Sequence, residues 1–355
     1  MFSENPNDYE LRVELANCCS DIATVYLSQY LPTEEHVAVK KYRLDMASKT
    51  LHNQIEHEIR TMRQLHHPNI LSFHCVYVNN MEMYLISPFM CYCSCSDTMK
   101  NIFDRGFPES VVAHIVKDVL FALEYLHRTG YIHRAIRASH ILLNQNKAVL
   151  TGFRESTNVL KHGERVSTLF ELAPNSQKSL IWLAPEVLAQ NLKGYNEKSD
   201  IYSLGIAICE LANGITPFSD MLSTYMLTEK IRGNKPTILD NSTCPSEEIL
   251  ANTSEENGEE AFGSRERLLF YSKKEFSDPF HKFSEVCLER HPENRPTVLQ
   301  LLNHQFLKQW KHTSLFRELQ SLGVQVSDYS KIKDDTLAIS NNYNEMSING
   351  SFEWD

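Results

Sequence analysis

A few positions in this chain have the residue types and spacing to handle phosphate groups. Lys40 ends the β-branched run Val37-Ala38-Val39-Lys40, and a lysine held on a strand is a fixed cation for phosphate oxygens. Glu58 follows on a helical segment, placed to pair with Lys40 and to hold that helix against the strand. His133 and Arg134 follow the apolar pair Tyr131-Ile132, and Asp200 opens an apolar helical run in Lys-Ser-Asp-Ile-Tyr-Ser-Leu-Gly. Glu186 in Ala-Pro-Glu and Arg295 in Glu-Asn-Arg-Pro-Thr supply opposite charges for a long-range ion pair. This is equipment for binding phosphates and transferring a phosphoryl group.

Each piece is weak alone, but together they stand in protein-kinase order across most of the chain. In that scheme Lys40 and Glu58 form the pair that sets the active helix position, and Asp200 anchors the backbone at His133 and Arg134. Phe89 and Met90, next to the small Ser87, offer hinge backbone groups to an adenine, with Ala16 and Val25 above it. The catalytic positions have changed. The aspartate that accepts the substrate proton is Ala135, and a methyl group accepts nothing. The second metal ligand, an asparagine, is His140, and a neutral imidazole suits magnesium poorly. The Asp-Phe-Gly segment reads Gly152-Phe153-Arg154, without its carboxylate, and the catalytic-loop lysine is Arg137. Leu15 to Asp21 contains no glycine, which disfavours close approach of backbone amides to phosphates. The catalytic and metal roles are therefore expected to be empty, while His133, Arg134, Glu186, Asp200 and Arg295 keep structural ones.

These residues need an α+β, bilobal scaffold: a β-rich N-lobe with one main helix over residues 9–90, and a helical C-lobe over 91–310. Thr24 to Leu27 and His36 to Lys40 read as strands around a turn at Leu31-Pro32-Thr33-Glu34. Ile55, Ile59, Met62 and Leu65 recur at helical spacing, and Tyr84-Leu85-Ile86 reads as a buried strand. Val112, Ile115, Val116, Val119, Leu123 and Leu126 line one helix face, which Gly130 ends. Asp200 to Asn213 is apolar nearly all round and so belongs in a core; Gly214 and Pro217 stop it. The polar, acidic stretch of about 240–275 reads as a flexible insertion, and 311–355 as a polar tail.

Composition narrows the function classes. A net charge of −10 argues against a general nucleic-acid or anionic-membrane binder. Nine cysteines without regular spacing suit a reducing compartment, and Cys91-Tyr92-Cys93-Ser94-Cys95 lacks the spacing of a zinc knuckle. The N-terminus is polar and no apolar run is long enough to span a bilayer, so a cytosolic protein is expected.

At this level of detail the chain resembles the STRAD pseudokinases, the sterile-20-related adaptors of liver kinase B. The resemblance is carried by Tyr131 to Leu142, by Ser87-Pro88-Phe89-Met90, by Gly152-Phe153-Arg154 and by Gly194 to Ile206, and it covers about residues 9–240 and 276–310. It implies a catalytically inactive adaptor that keeps a closed, active-like shape and binds ATP without turnover or a strict magnesium requirement. It also implies a liver-kinase-B-like partner that the adaptor activates, an armadillo-like scaffold of the calcium-binding-protein-39 family, and a place in the cytoplasm and nucleus. Two features depart from the family pattern: Lys40 is present, and the C-terminus reads Phe352-Glu353-Trp354 rather than Trp-Glu-Phe. A residual kinase of the sterile-20 type, and a nucleotide-free scaffold, are the other readings.

Overall fold

The structure is a computed structural model. It describes residues 2–19, 21–161, 163–173, 176–190, 192–244, 267–324 and the backbone of 353–354. The alternating strands at the start of the chain build an antiparallel sheet of β1 (Tyr9–Cys18), β2 (Ala23–Tyr30), β3 (Glu35–Arg43), β4 (Cys75–Asn79) and β5 (Glu82–Pro88), in the spatial order β1-β2-β3-β5-β4. Register places Lys40 opposite Val25 on one side and Leu85 on the other. A two-residue strand, Glu353–Trp354, runs parallel to the open edge of β1 beside Asn17 and Cys18.

Helix α1 (Lys49–Gln64) begins where the Ser48 hydroxyl accepts the amide of Leu51, and its Leu51, Ile55 and Met62 are buried. Glu58 shares that inward face and is itself buried. The C-lobe is organised around α3 (Glu109–Arg128) and α5 (Lys198–Asn213), with α2 (Cys95–Asn101), α4 (Pro185–Ala189), α6 (Ser223–Arg232) and α7 (Asp278–Cys287) packed about them. Every residue of α5 from Ser199 to Asn213 is buried, as its all-round apolar sequence requires. The helix stops at Gly214, whose φ of 71° suits the left-handed cap. The expected α+β bilobal architecture is present.

Two expected boundaries move. The tail does not start at 311: α8 (Val298–Leu302) and α9 (Gln305–Gln309) are followed by α10 (Leu315–Ser321), whose Leu315 and Leu319 are buried in the C-lobe core. The i, i+4 leucine pair that seats α10 is hidden in the sequence among charged neighbours. The insertion is also narrower than 240–275. Asp240 is fully buried and accepts from His281 Nε2 at 2.7 Å, Tyr271 donates its hydroxyl to the carbonyl of Asn213, and Lys274 donates to that of Ala212 at 2.8 Å. Residues 245–266, and Phe352 of the aromatic tail motif, lie outside the described residues. No helix among the described residues is long and apolar enough to cross a membrane.

Asp200 joins these elements. Its carboxylate, fully buried, accepts from the amides of His133 and Arg134 and from His127 Nε2, each at 2.9 Å. Asp200→Ala leaves two buried amides and an imidazole without their acceptor, and is expected to cost about 3–5 kcal/mol. Urea denaturation monitored by fluorescence measures this, and a loss under about 1 kcal/mol would contradict the anchoring role.

Candidate functional site

Between the lobes lies a cleft enclosing about 830 Å³ of empty space, part of it open to solvent. Ala16 and Val25 form its roof, and Phe89 and Met90 its hinge wall. Lys40 and Glu58 line it too, as do His140 and Gly152. The residues picked from sequence as nucleotide-binding therefore surround one cavity. Its wall is mostly apolar, as ligand pockets are, with polar groups at a few points.

The charge pairing in the cleft differs from expectation. Glu58 does not pair with Lys40. Its Oε2 instead lies 3.8 Å from Arg154 Nε, and Arg154 Nη1 contacts Cys19 Sγ at 2.9 Å. Arg154 thus ties the start of the activation segment (153–183) to α1 and to the loop after β1. The Lys40 ammonium sits 5.1 Å from the centre of the Tyr42 ring, with no carboxylate of a described residue in ion-pair range. Burial opposes its charge, but Tyr42, Cys18 and Glu58 outweigh that and hold its pKa above the usual lysine value. Burial also pushes the Cys18 thiol up to about 11. In the loop itself Cys19 and Asp21 adopt φ of 57° and 64°, a region glycine occupies without strain.

Where a kinase catalytic loop carries its aspartate, this chain has an alanine. Ala135 is buried, 1% exposed. His140 Nε2 accepts from Arg137 Nη2 at 3.0 Å, so its proton is on Nδ1, which donates to the carbonyl of Ala135 at 2.6 Å. Both ring nitrogens are occupied in holding the loop together. The ring also fills the place of the missing aspartate. A Cβ on Gly152 would lie 2.5 Å from His140 Nδ1, and Gly152 has φ of 85°. The two altered metal positions are one steric unit, and the Arg137 guanidinium lies against it. These residues do not suit a magnesium ion: a carboxylate is absent, an imidazole is bonded away, and a fixed cation stands nearby.

The scaffold residues are placed as expected. Arg295 grips Glu186 through two bonds, 2.6 and 2.7 Å, with both groups buried. His133 is fully buried and Nε2 donates to the carbonyl of Thr151 at 2.9 Å; burial lowers its pKa, so the ring is neutral at pH 7. Arg134 turns its side chain to the activation segment. It donates to the Tyr195 hydroxyl at 3.1 Å, to the carbonyls of Ser156 and Glu171 at 3.5 Å, and to that of Glu155. Sequence reasoning missed three further supports. Arg154, the last residue of Gly152-Phe153-Arg154, competes for Glu58. Lys230 is fully buried and caps the carbonyls of Ile181 and Leu183 at 2.5 and 2.6 Å. Glu210 accepts from the amide of Ala138 at 3.0 Å and from Trp182 Nε1 at 3.1 Å. A lone charged residue in an apolar helix, such as Glu210, was the available signal.

Restoring the aspartate alone fails on these distances. Gly152→Asp is expected to lower the Tm by several degrees and to leave magnesium without effect on it, whereas adding His140→Asn relieves the clash and recovers part of the loss. Differential scanning fluorimetry with and without magnesium checks this; a Gly152→Asp chain as stable as the parent would contradict the packing described.

Comparison with known proteins agrees with the geometry. The protein kinase domain matches residues 21–307. The chain is 40% identical over 315 residues to STE20-related kinase adapter protein alpha of Mus musculus, covering 85% of this chain and 73% of that one. It is 39% identical over 317 residues to the alpha protein of Bos taurus, covering 85% and 84%. Against STE20-related kinase adapter protein beta of Homo sapiens the figure is 35% over 325 residues, covering 88% and 78%. With identity of this extent over a kinase fold whose catalytic positions read Ala135, His140 and Gly152, the chain belongs to the STE20-related kinase adapter (STRAD) family.

Proposed function

We propose that this protein is a catalytically inactive adaptor that binds a liver-kinase-B-like serine/threonine kinase and raises its activity. It would act in a complex with an armadillo-like scaffold of the calcium-binding-protein-39 family, in the cytoplasm and nucleus. The observation that carries this reading is the activation segment docked on a catalytic loop that has no base. Arg134 holds the segment through backbone carbonyls and the Tyr195 hydroxyl, with no phosphate group needed. Asp200 and the Glu186–Arg295 pair keep the kinase frame of the C-lobe, while Arg154 takes the place of Lys40 beside Glu58. A frame retained without its chemistry has a use if another protein reads its shape. The names of the relatives, kinase adapters, point the same way.

The cleft is proposed to hold ATP without turning it over. The hinge at Phe89 and Met90 meets the adenine, and Lys40, which has no carboxylate partner, meets the phosphates. Arg154 stands beside Glu58 and Arg137 beside His140, two residues of the cleft wall, so both add positive charge next to the cleft. The bound nucleotide supplies no chemistry here, because Ala135 accepts no proton from a substrate hydroxyl.

Two measurements follow. In EDTA, an ATP titration is expected to give a saturable rise in Tm, with Lys40→Ala weakening affinity about tenfold. The absence of any shift in millimolar nucleotide would favour the nucleotide-free scaffold. In a reconstituted assay with the partner kinase and scaffold, adding this protein is expected to raise substrate phosphorylation by a coupling of about 1–3 kcal/mol, and Ala135→Asp is expected not to raise it further. Equal rates with and without this chain, despite complex formation, would leave a tether and not an activator.

A further inference from the structure

One side of β1 pairs with β2 from Tyr9 to Cys18, and its other side is the outer edge of the five long strands. Such an edge offers unpaired N–H and C=O groups to any extended peptide, and proteins commonly blunt it with bulges and charges. The first part of β1 is blunted in this way. Its ladder with β2 slips between Leu11 and Val13 and again between Glu14 and Ala16, and the same stretch carries Glu10, Arg12 and Glu14. Beyond the second slip, Asn17 and Cys18 are in regular register and uncharged. The Asn17 side chain is already committed, donating to Glu14 Oε1 at 2.8 Å and accepting from Thr24 Oγ1 at 2.9 Å. Glu353–Trp354 pairs at these two residues, Glu353 beside Asn17 and Trp354 beside Cys18. The added strand borders the roof of the cleft, because Ala16 and Cys18 line that cavity and the next residue, Cys19, touches Arg154.

We propose that the outer edge of β1 at Asn17 and Cys18 is a strand-addition site for an extended peptide in parallel register, and that the chain's own segment Glu353–Trp354 is its resident ligand. Strand addition joins main-chain N–H and C=O groups, so the contact is made by the backbone. A ladder of two residues is marginal by itself. It holds because segment and edge belong to one chain, which gives an effective concentration on the order of a millimolar. Such a contact is reversible. While made, it caps the stretch of β1 that bulges and charges leave open, and it withholds the main chain of the segment from other proteins. A protein that takes the segment uncovers the edge beside the cleft roof.

Hydrogen–deuterium exchange of the full chain, read by mass spectrometry, tests this. Proline has no N–H, and only alternate residues of a strand bond to a given neighbour, so Glu353→Pro with Trp354→Pro removes the donor of the segment whichever residue carries it. The edge-facing amides within residues 14–19 are expected to exchange at least about tenfold faster in this double variant, with residues 35–43 unchanged as the control for an intact sheet. Glu353→Ala keeps the main chain and is expected to exchange like the parent. A peptide of residues 349–355, added at millimolar concentration to the double variant, is expected to restore the protection. The same peptide N-methylated at 353 and 354 is expected not to. Equal exchange at 14–19 in the parent and the double variant overturns the proposal. Restoration by the N-methylated peptide overturns it too, by assigning the contact to side chains. Protection in the parent that grows with protein concentration assigns the edge to a second copy of the chain and overturns the resident ligand.

Discussion

The buried carboxylate of Asp200 is the constraint on which the rest of the site depends. An isolated charge in the core of a lobe is prohibitively costly, and this one is tolerated because three donors converge on it, from His127 and from the amides of His133 and Arg134. Burial alone would raise its pKa, but His127, His133 and the backbone amide outweigh that and hold it below the ordinary aspartate value. Those bonds fix Arg134 at φ 65°, a conformation that needs support from its surroundings. With the backbone so held, the Arg134 side chain reaches the activation segment, and His133 packs edge-on against Phe153 at 5.0 Å. The placement of the Arg134 side chain against residues 155, 156 and 171 is thus inherited from a single carboxylate in α5.

In the cleft, substitution has replaced reactive groups with packing. The His140 ring takes the space above Gly152, and Arg137 closes its free nitrogen. Arg154 reaches the carboxylate that Lys40 was expected to hold. The result is a cleft whose inner end is bound together by its own side chains. His57 adds to this by donating from α1 to the carbonyl of Ser156 at 2.8 Å, so α1 is tied to the activation segment twice. Lobe position and segment order are coupled through these contacts. This coupling is the physical route by which a nucleotide in the cleft would influence a protein bound at the segment.

The altered positions hold one another in place. Ala135 sits under its own loop at 1% exposure, and the carbonyl of Ala135 is bonded by His140. Changing one of these residues alone disturbs the others. Degenerate positions that support one another are a structure in their own right, and a single reversion toward an enzyme meets steric resistance before it meets any chemical question.

Much was determined by the sequence itself. Strand and helix periodicity placed the two lobes, because α1, α3 and α5 carry their apolar faces in uninterrupted local pattern. The alanine at position 135 was legible too, and no fold gives a methyl group a lone pair. The anchoring of the catalytic-loop backbone by Asp200 and the pairing of Arg295 with Glu186 followed from motif order, whereas the His127 contact to Asp200 did not. What tertiary structure decided were choices among competing long side chains and the true edges of the C-lobe. Glu58 had two cations within reach, Lys40 on the neighbouring strand and Arg154 nearly a hundred residues on, and the geometry favours the one that enters across the cleft. Leu315 and Leu319 extend the C-lobe past 310 because α3 offers them a surface, which local charge patterning cannot reveal. The clash between His140 and a side chain at position 152 belongs to the same class. Local pattern encodes what a segment prefers, whereas pairing and exclusion depend on which distant groups the fold brings within a few ångströms.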